Sequence, residues 1–153
     1  MNTILDKTFE EWFLGDPQSP QSQMDSVKAQ LDIIEAAIQD YKGTEIEGPD
    51  IATMRSSLRT LSGYLGYMPK VYAESKAYAS KKGAEYIESF YDPTKKNMSP
   101  TMIKMQAAAF AKNEVMVMDW IEMLNKNLLQ ICRAIQTDVS FEKATLPHSG
   151  ENH

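Results

Sequence analysis

Cysteine and histidine are almost missing from this chain. Its one cysteine, Cys132, excludes an internal disulfide framework and a cysteine-rich metal site. Its two histidines, His148 and His153, lie in the last six residues, so none is available as a general base or metal ligand within the domain. No Glu-x-x-His pair of the kind that holds a di-iron centre occurs. We therefore expect a protein that is not an enzyme and has no metal or other cofactor.

Glycine-rich phosphate loops and long apolar runs are also missing. The seven glycines are scattered, and neither Gly-Lys-Ser nor Gly-Lys-Thr occurs. No stretch approaches the roughly 20 apolar residues that span a bilayer. The N-terminus has neither the basic flank nor the apolar stretch of a secretory signal. The sequence therefore predicts a cytoplasmic protein that does not enter a membrane.

Apolar residues recur at helical spacing over most of the chain. The pattern predicts helices over residues 22–42, 50–91 and from 100 to about 137. The last two are long and joined by a short turn, so we predict a long antiparallel helical hairpin with a shorter third helix. A short N-terminal amphipathic helix precedes them, and the fold class is an all-α helical bundle, with the periodicity of a coiled coil in the second helix.

The chain divides into four predicted parts. These are an amphipathic docking segment (1–14), a linker rich in proline and glycine (15–21), the helical bundle domain (22–138) and a flexible tail (139–153). Phe9, Trp12 and Phe13 give the first part its aromatic face. These three residues either bind a protein partner, as helix-in-groove ligands do, or fold back on their own domain.

Three apolar stripes are predicted to form the core, one on each helix of the bundle. They are Met24, Val27, Leu31, Ile34, Ile38 and Tyr41; Ile51, Met54, Leu58, Leu61, Leu65, Met68 and Tyr72; and Ile103, Ala107, Phe110, Val117, Ile121, Leu124, Leu128, Ile131 and Ile135. Cys132 is interpreted as a buried structural thiol. The ten methionines suggest either an adaptable binding face or flexible core filler, and we favour core filler because most of them coincide with core positions.

Pro69 lies inside the second helix, where we expect a kink or a break. The first helix covers only about half the length of the hairpin. The apolar surface of the other half must be buried in another way, either by the second helix folding back at Pro69 or by another copy of the chain. Since the apolar stripe continues in phase on both sides of Pro69, we favour a homo-oligomer.

The turn of the hairpin sets which residues face each other. If it is centred near Lys95, facing residues have numbers that sum to about 190. Gly83 then lies opposite Ala107, and Lys76 lies opposite Glu114. We predict a Lys76–Glu114 ion pair.

Charge is unevenly distributed along the chain. Residues 1–50 contain three basic and eleven acidic side chains, a net charge of −8, whereas residues 55–112 contain ten basic and four acidic ones, a net charge of +6. The acidic first third suits a basic protein partner, and the middle suits a polyanion. The simpler interpretation is that the lysines lie on solvated helix faces.

Tyrosines alternate with the basic residues of the middle region. They are Tyr64, Tyr67, Tyr72, Tyr78, Tyr86 and Tyr91. Aromatic faces beside cations are what proteins use to bind single-stranded nucleic acid, although helical hairpins also carry such tyrosines for packing. The candidate nucleic-acid-binding residues are Lys70, Lys76, Lys81, Lys82, Lys95 and Lys96.

The same region resembles a known family over about residues 60–143. The residues that carry the likeness are Lys76, Lys81 and Lys82, the pair Phe90-Tyr91, then Lys95, Lys96 and Lys104, and finally Trp120, Leu124, Cys132 and Ile135. This pattern resembles the bacteriophage recombination mediators of the UvsY family. The resemblance implies a small helical oligomer that binds single-stranded DNA and helps to load a RecA-like recombinase. The acidic first third and the proline in the second helix depart from that pattern.

Two functional hypotheses follow. The first is a non-catalytic, self-associating accessory protein, phage-encoded, that acts on single-stranded DNA or its nucleoprotein filament in recombination. The second is a helical adaptor, inhibitor or assembly protein that works only through protein–protein contacts.

Overall fold

The computed structural model describes residues 20–90, 92, 94 and 98–145. Within these ranges the chain forms four helices: α1 (Pro20–Ile46), α2 (Ile51–Phe90), α3 (Pro100–Phe110) and α4 (Lys112–Thr145). No strand occurs in the described ranges. The all-α fold class and the long hairpin of α2 against α3 and α4 are confirmed. The predicted N-terminal helix over 1–14 lies outside the described residues.

Local capping explains where α2 and α3 begin. The Asp50 carboxylate accepts a hydrogen bond of 2.7 Å from the Thr53 backbone N–H at the start of α2. At the start of α3, the Ser99 hydroxyl accepts a bond of 3.2 Å from the backbone N–H of Met102. Pro100 follows at the first helical position, where no amide donor is needed.

Helix α1 is longer than predicted at both ends. It begins at Pro20, so the predicted linker over 15–21 is wrong in its last two residues; proline is favoured in a first turn. It also continues past Gly43 to Ile46. The glycine that follows its end is Gly48, whose φ of 72° is the left-handed conformation that glycine adopts most readily.

Pro69 does not interrupt α2, which is one helix from Ile51 to Phe90. Pro69 lies on the exposed side of α2, while its neighbours Met68 and Val71 are fully buried. The apolar face therefore stays in contact with the core on both sides of the proline. The alternative in which the second helix folds back here is wrong.

The predicted third helix is divided at one residue, Ala111. Its φ of −93° and ψ of 26° depart from helical values, and it separates α3 from α4. Hydrogen bonds still cross the junction: Ala111 N donates to Ala107 O at 3.1 Å, and Val115 N donates to Ala111 O at 2.9 Å. The distortion is therefore local, and the two helices continue as one side of the hairpin.

The end of α4 also differs from prediction. The chain stays helical to Thr145, so the predicted flexible tail is wrong over residues 139–145. The physical reason is Val139, which is buried and extends the apolar stripe one turn beyond Ile135. The rest of the predicted tail, 146–153, lies outside the described residues.

The core lies where three helices meet. Its buried members are Leu31, Ile34, Ile38 and Tyr41 from α1; Met54, Leu61, Tyr64, Met68 and Val71 from α2; and Val117, Ile121, Leu124, Leu128, Cys132, Ile135 and Val139 from α4. Most of the predicted stripe positions are confirmed. Phe110 is an exception, since it is 46% exposed. In α3 the buried residue is Ala107.

The C-terminal half of α1 lies between the beginning of α2 and the end of α4. One groove is lined by Tyr41 and Thr44 together with Ser57 and Thr60. On the other side, the charges of Glu45 and Asp138 add to burial in raising the pKa of Tyr41. Helix α1 therefore runs antiparallel to α2 and parallel to α4.

The register of the hairpin agrees with prediction at one point and differs at another. A Cβ added to Gly83 would lie 3.8 Å from the Ala107 Cβ, so these residues face each other as predicted. The Lys76–Glu114 pair is wrong: the ion pairs among the described residues do not include it. The charge of Glu114 acts instead on Lys82, about two turns further along α2.

Two glycine substitutions should change stability in opposite directions. Nothing in the structure lies within 4 Å of a Cβ added to Gly66, in the middle of α2. Gly66→Ala should therefore raise the free energy of unfolding by about 0.5–1 kcal/mol. Gly48→Ala makes the same chemical change at a φ of 72° and should lower it by about 1–2 kcal/mol. Urea unfolding followed by circular dichroism measures both; destabilisation by Gly66→Ala would contradict an open face at that position.

Candidate functional site

The candidate lysines do not converge on one surface. Among the described ones, Lys70, Lys76 and Lys81 are exposed and Lys82 is half-buried. Lys76 and Lys81 are five residues apart, which separates their directions by about 140° around the helix. The structure therefore does not bring these four lysines together as a phosphate-binding groove. Lys95 and Lys96 lie outside the described residues.

Two of the four lysines have a carboxylate beside them on their own helix. Lys70 Nζ lies 3.8 Å from Glu74 Oε1, and Lys82 Nζ lies 3.1 Å from Glu85 Oε2. The hydrogen bond to Glu85 raises the pKa of the Lys82 ammonium. Lys82 Nζ also lies 5.8 Å from the centre of the Tyr78 ring. These contacts hold Lys82 against its own helix, so Lys76 and Lys81 are better placed to bind an anion.

The tyrosines are used mainly for packing. Tyr64 is 6% exposed and belongs to the core, so its interpretation as a stacking platform is wrong. Tyr67, Tyr72 and Tyr78 are partly buried against that core. Tyr86 donates a hydrogen bond to Gln106, and its ring centre lies 5.7 Å from that of Phe110. Tyr91 lies outside the described residues.

Cys132 is buried, as predicted, with 3% of its surface exposed. Its Sγ lies 3.9 Å from Ser62 Oγ, a contact between α4 and α2. Burial raises the pKa of the thiol, which disfavours the reactive thiolate. Cys132 therefore has the environment of a packing residue.

In the described part of the chain, no group of three or more histidine, cysteine or acidic side chains could hold a metal ion. None of the helices in those ranges combines the length and apolar character needed to cross a membrane.

Several methionines are exposed, which agrees with the less favoured of the two interpretations made from the sequence. Met54 and Met68 are buried, as core filler should be. Four others have large exposed fractions: Met102 48%, Met105 67%, Met116 51% and Met123 47%. The interpretation of the methionines as core filler is wrong for these residues.

The four exposed methionines lie on one side of α3 and α4. Successive separations of 3, 11 and 7 residues all approximate whole helical turns. We call Met102, Met105, Met116 and Met123 the methionine face. The signal was present in the sequence as a second stripe beside the core stripe.

An exposed methionine stripe is chemically suited to binding apolar side chains. Methionine is unbranched, polarizable and able to adapt its shape, and it is common on surfaces that bind helical partners. Phe110 and Ile87, which are 46% and 44% exposed, lie in the same half of the hairpin and add apolar surface there. The proposed partner-binding residues of the N-terminal segment, Phe9, Trp12 and Phe13, lie outside the described residues.

Comparisons with known proteins give no family for this chain: no family model matches it, and neither a curated protein nor a solved structure does. The likeness to the UvsY family therefore stays a prediction made from the residues.

Cys132 provides a test of how firmly the end of α4 is packed. At pH 8, a thiol reagent such as Ellman's reagent should react with the native protein at least about a hundredfold more slowly than with the unfolded chain, since the thiol is buried and its pKa is raised. Raising the pH should speed the reaction until the thiol is ionised. Rapid reaction in the native state would contradict the packing of Cys132 against α2.

Proposed function

We propose that this chain is a non-catalytic helical protein that binds other protein chains, including copies of itself, through the methionine face. The observation that carries the proposal is the exposure of four methionines on one side of α3 and α4. An adaptor or assembly protein of this kind needs no catalytic group and no cofactor. The cytoplasm is the compartment that we propose for it.

The energetic argument concerns the cost of leaving these side chains in water. Burying a methionine side chain stabilises a complex by up to about 1.5–3 kcal/mol. Four half-exposed methionines therefore offer several kcal/mol to a partner that covers them, before the cost of association is subtracted. Surfaces of this kind on a single chain mark interaction sites.

Self-association is the form of this binding that can be measured with the chain alone. We expect a reversible monomer–oligomer equilibrium at micromolar concentration, detected by sedimentation velocity over a range of concentrations. Met102→Glu/Met105→Glu should raise the dissociation constant of the oligomer at least about tenfold, because burying two unpaired carboxylates is costly.

The matched control is Ile46→Glu/Phe141→Glu. Both residues are exposed, at 88% and 68%, and lie at the opposite end of the bundle. These changes add the same charge in place of exposed apolar side chains but should leave the equilibrium unchanged. An equal effect of both double variants, or a monomer at all concentrations, would count against self-association through the methionine face.

The second candidate function is binding of single-stranded DNA, as an accessory factor in phage recombination. Its specific support is that Lys76 and Lys81 are exposed and that neither is in an ion pair with another described residue. They lie within the 55–112 region of net charge +6. Local positive potential of this kind attracts phosphates even when the whole chain is acidic.

Fluorescence anisotropy of a labelled single-stranded oligonucleotide tests this second function. If the lysines bind phosphates, Lys76→Ala/Lys81→Ala should weaken binding and reduce the slope of log affinity against log salt by about 1.4, since two phosphate contacts are lost. Lys42→Ala/Lys143→Ala is the matched control, because it removes the same charge at the opposite end of the bundle. No binding of the unmodified chain at low salt would reject this function.

A further inference from the structure

We propose that residues 1–14 of this chain dock on the methionine face of the same molecule, continuing along the hairpin from the point where α1 begins. This inference rests on the proposed function, since it assigns an occupant to the same binding surface. The segment and any external partner would then compete for one site.

The direction of α1 places its first residue near the methionine face. Tyr41 lies beside Ser57 and Thr60 of α2, and its pKa responds to the charge of Asp138 in α4. From Tyr41 back to Pro20, α1 extends about 31 Å, because each helical residue advances 1.5 Å. Since α1 runs parallel to α4, Pro20 comes level with the neighbourhood of Met116.

Beyond that level the hairpin consists of α3 and the end of α2, without α1 beside them. The distance along the helices from Met116 to Met102 is about 21 Å. Residues 1–14, whose apolar spacing predicts a helix, would span about 21 Å as well. The five residues 15–19 can reach up to about 17 Å, which is enough to bring the segment across onto the methionine face.

The chemistry of the segment complements this surface. Phe9, Trp12 and Phe13 are aromatic, and contacts between methionine sulfur and aromatic rings are favourable. Residues 1–19 contain four acidic side chains and one basic one. Residues 102–123, which carry the methionine face, contain two basic and three acidic side chains, so the complementarity is apolar rather than electrostatic.

Connectivity decides between the segment and the same face of a second copy. A short tether gives an attached segment an effective concentration in the millimolar range. This favours docking within one molecule, and self-association through the same face then requires displacement of the segment.

The test follows Trp12 in the full-length chain carrying Trp120→Phe, which leaves Trp12 as the sole tryptophan. Acrylamide quenching is measured at concentrations where sedimentation shows a monomer. Docking predicts a quenching constant about threefold lower than that of free N-acetyltryptophanamide, because a docked indole is shielded from solvent. Met102→Glu/Met105→Glu should raise the quenching constant of Trp12 to that of the free model compound. Ile46→Glu/Phe141→Glu should leave the constant low. If Trp120→Phe prevents folding, the fluorescence of Trp12→Phe is subtracted from that of the unmodified chain. The difference is the Trp12 signal, and its quenching constant is measured instead.

Two outcomes would overturn the inference. One is a Trp12 as accessible as the free model compound and unaffected by the methionine substitutions. The other is protection that disappears when an oligomer dissociates, which would assign the face to a second copy. Self-association with an accessible Trp12 leaves the proposed function standing and rejects this inference. A monomer with protected Trp12 at every concentration supports this inference and rejects self-association.

Discussion

Burial of the apolar stripe of α4 is the interaction on which the described structure depends. Val117, Ile121, Leu128 and Ile135 are completely inaccessible to solvent. Helices α1 and α2 both pack on this stripe, and their own buried residues meet there. Apolar burial is worth about 25 cal/mol per Å², and with a single cysteine the chain has no internal disulfide to add to it. The positions of α1 and α2, and of every surface side chain they carry, follow from this packing.

Periodicity predicted the helices and most of the core because these depend on local spacing. Details that depend on contacts between helices were harder to predict. Glycine at position 43 looked like a helix end, but α1 continues to Ile46 and the left-handed glycine that follows it is Gly48. The Lys76–Glu114 pair is absent although each residue lies only seven positions from Gly83 or Ala107, and the distorted residue Ala111 lies between Ala107 and Glu114. The apolar pattern of the sequence gives no sign of that distortion.

The extent of α1 explains part of the difference between the predicted and the observed surface. Where α1 lies beside the hairpin, α2 has two neighbours and buries a wider arc than one stripe, so Tyr64 enters the core. Beyond the start of α1, α2 and α3 are left as a pair, and Phe110 and Met105 are exposed. A sequence stripe shows which residues favour burial, but the number of neighbouring helices decides how many of them achieve it.

The two candidate functions use different helices, and their requirements differ physically. Phosphate binding needs cations that can approach the same strand, yet Lys82 is held by Glu85 and Lys76 and Lys81 point in different directions on α2. Apolar binding needs exposed apolar side chains on one side of the helices, which the methionine face on α3 and α4 supplies. Because its side chains are adaptable, such a surface tolerates variation in its partner. The geometry therefore favours a protein occupant, while the exposed lysines on α2 stay accessible when the methionine face is covered.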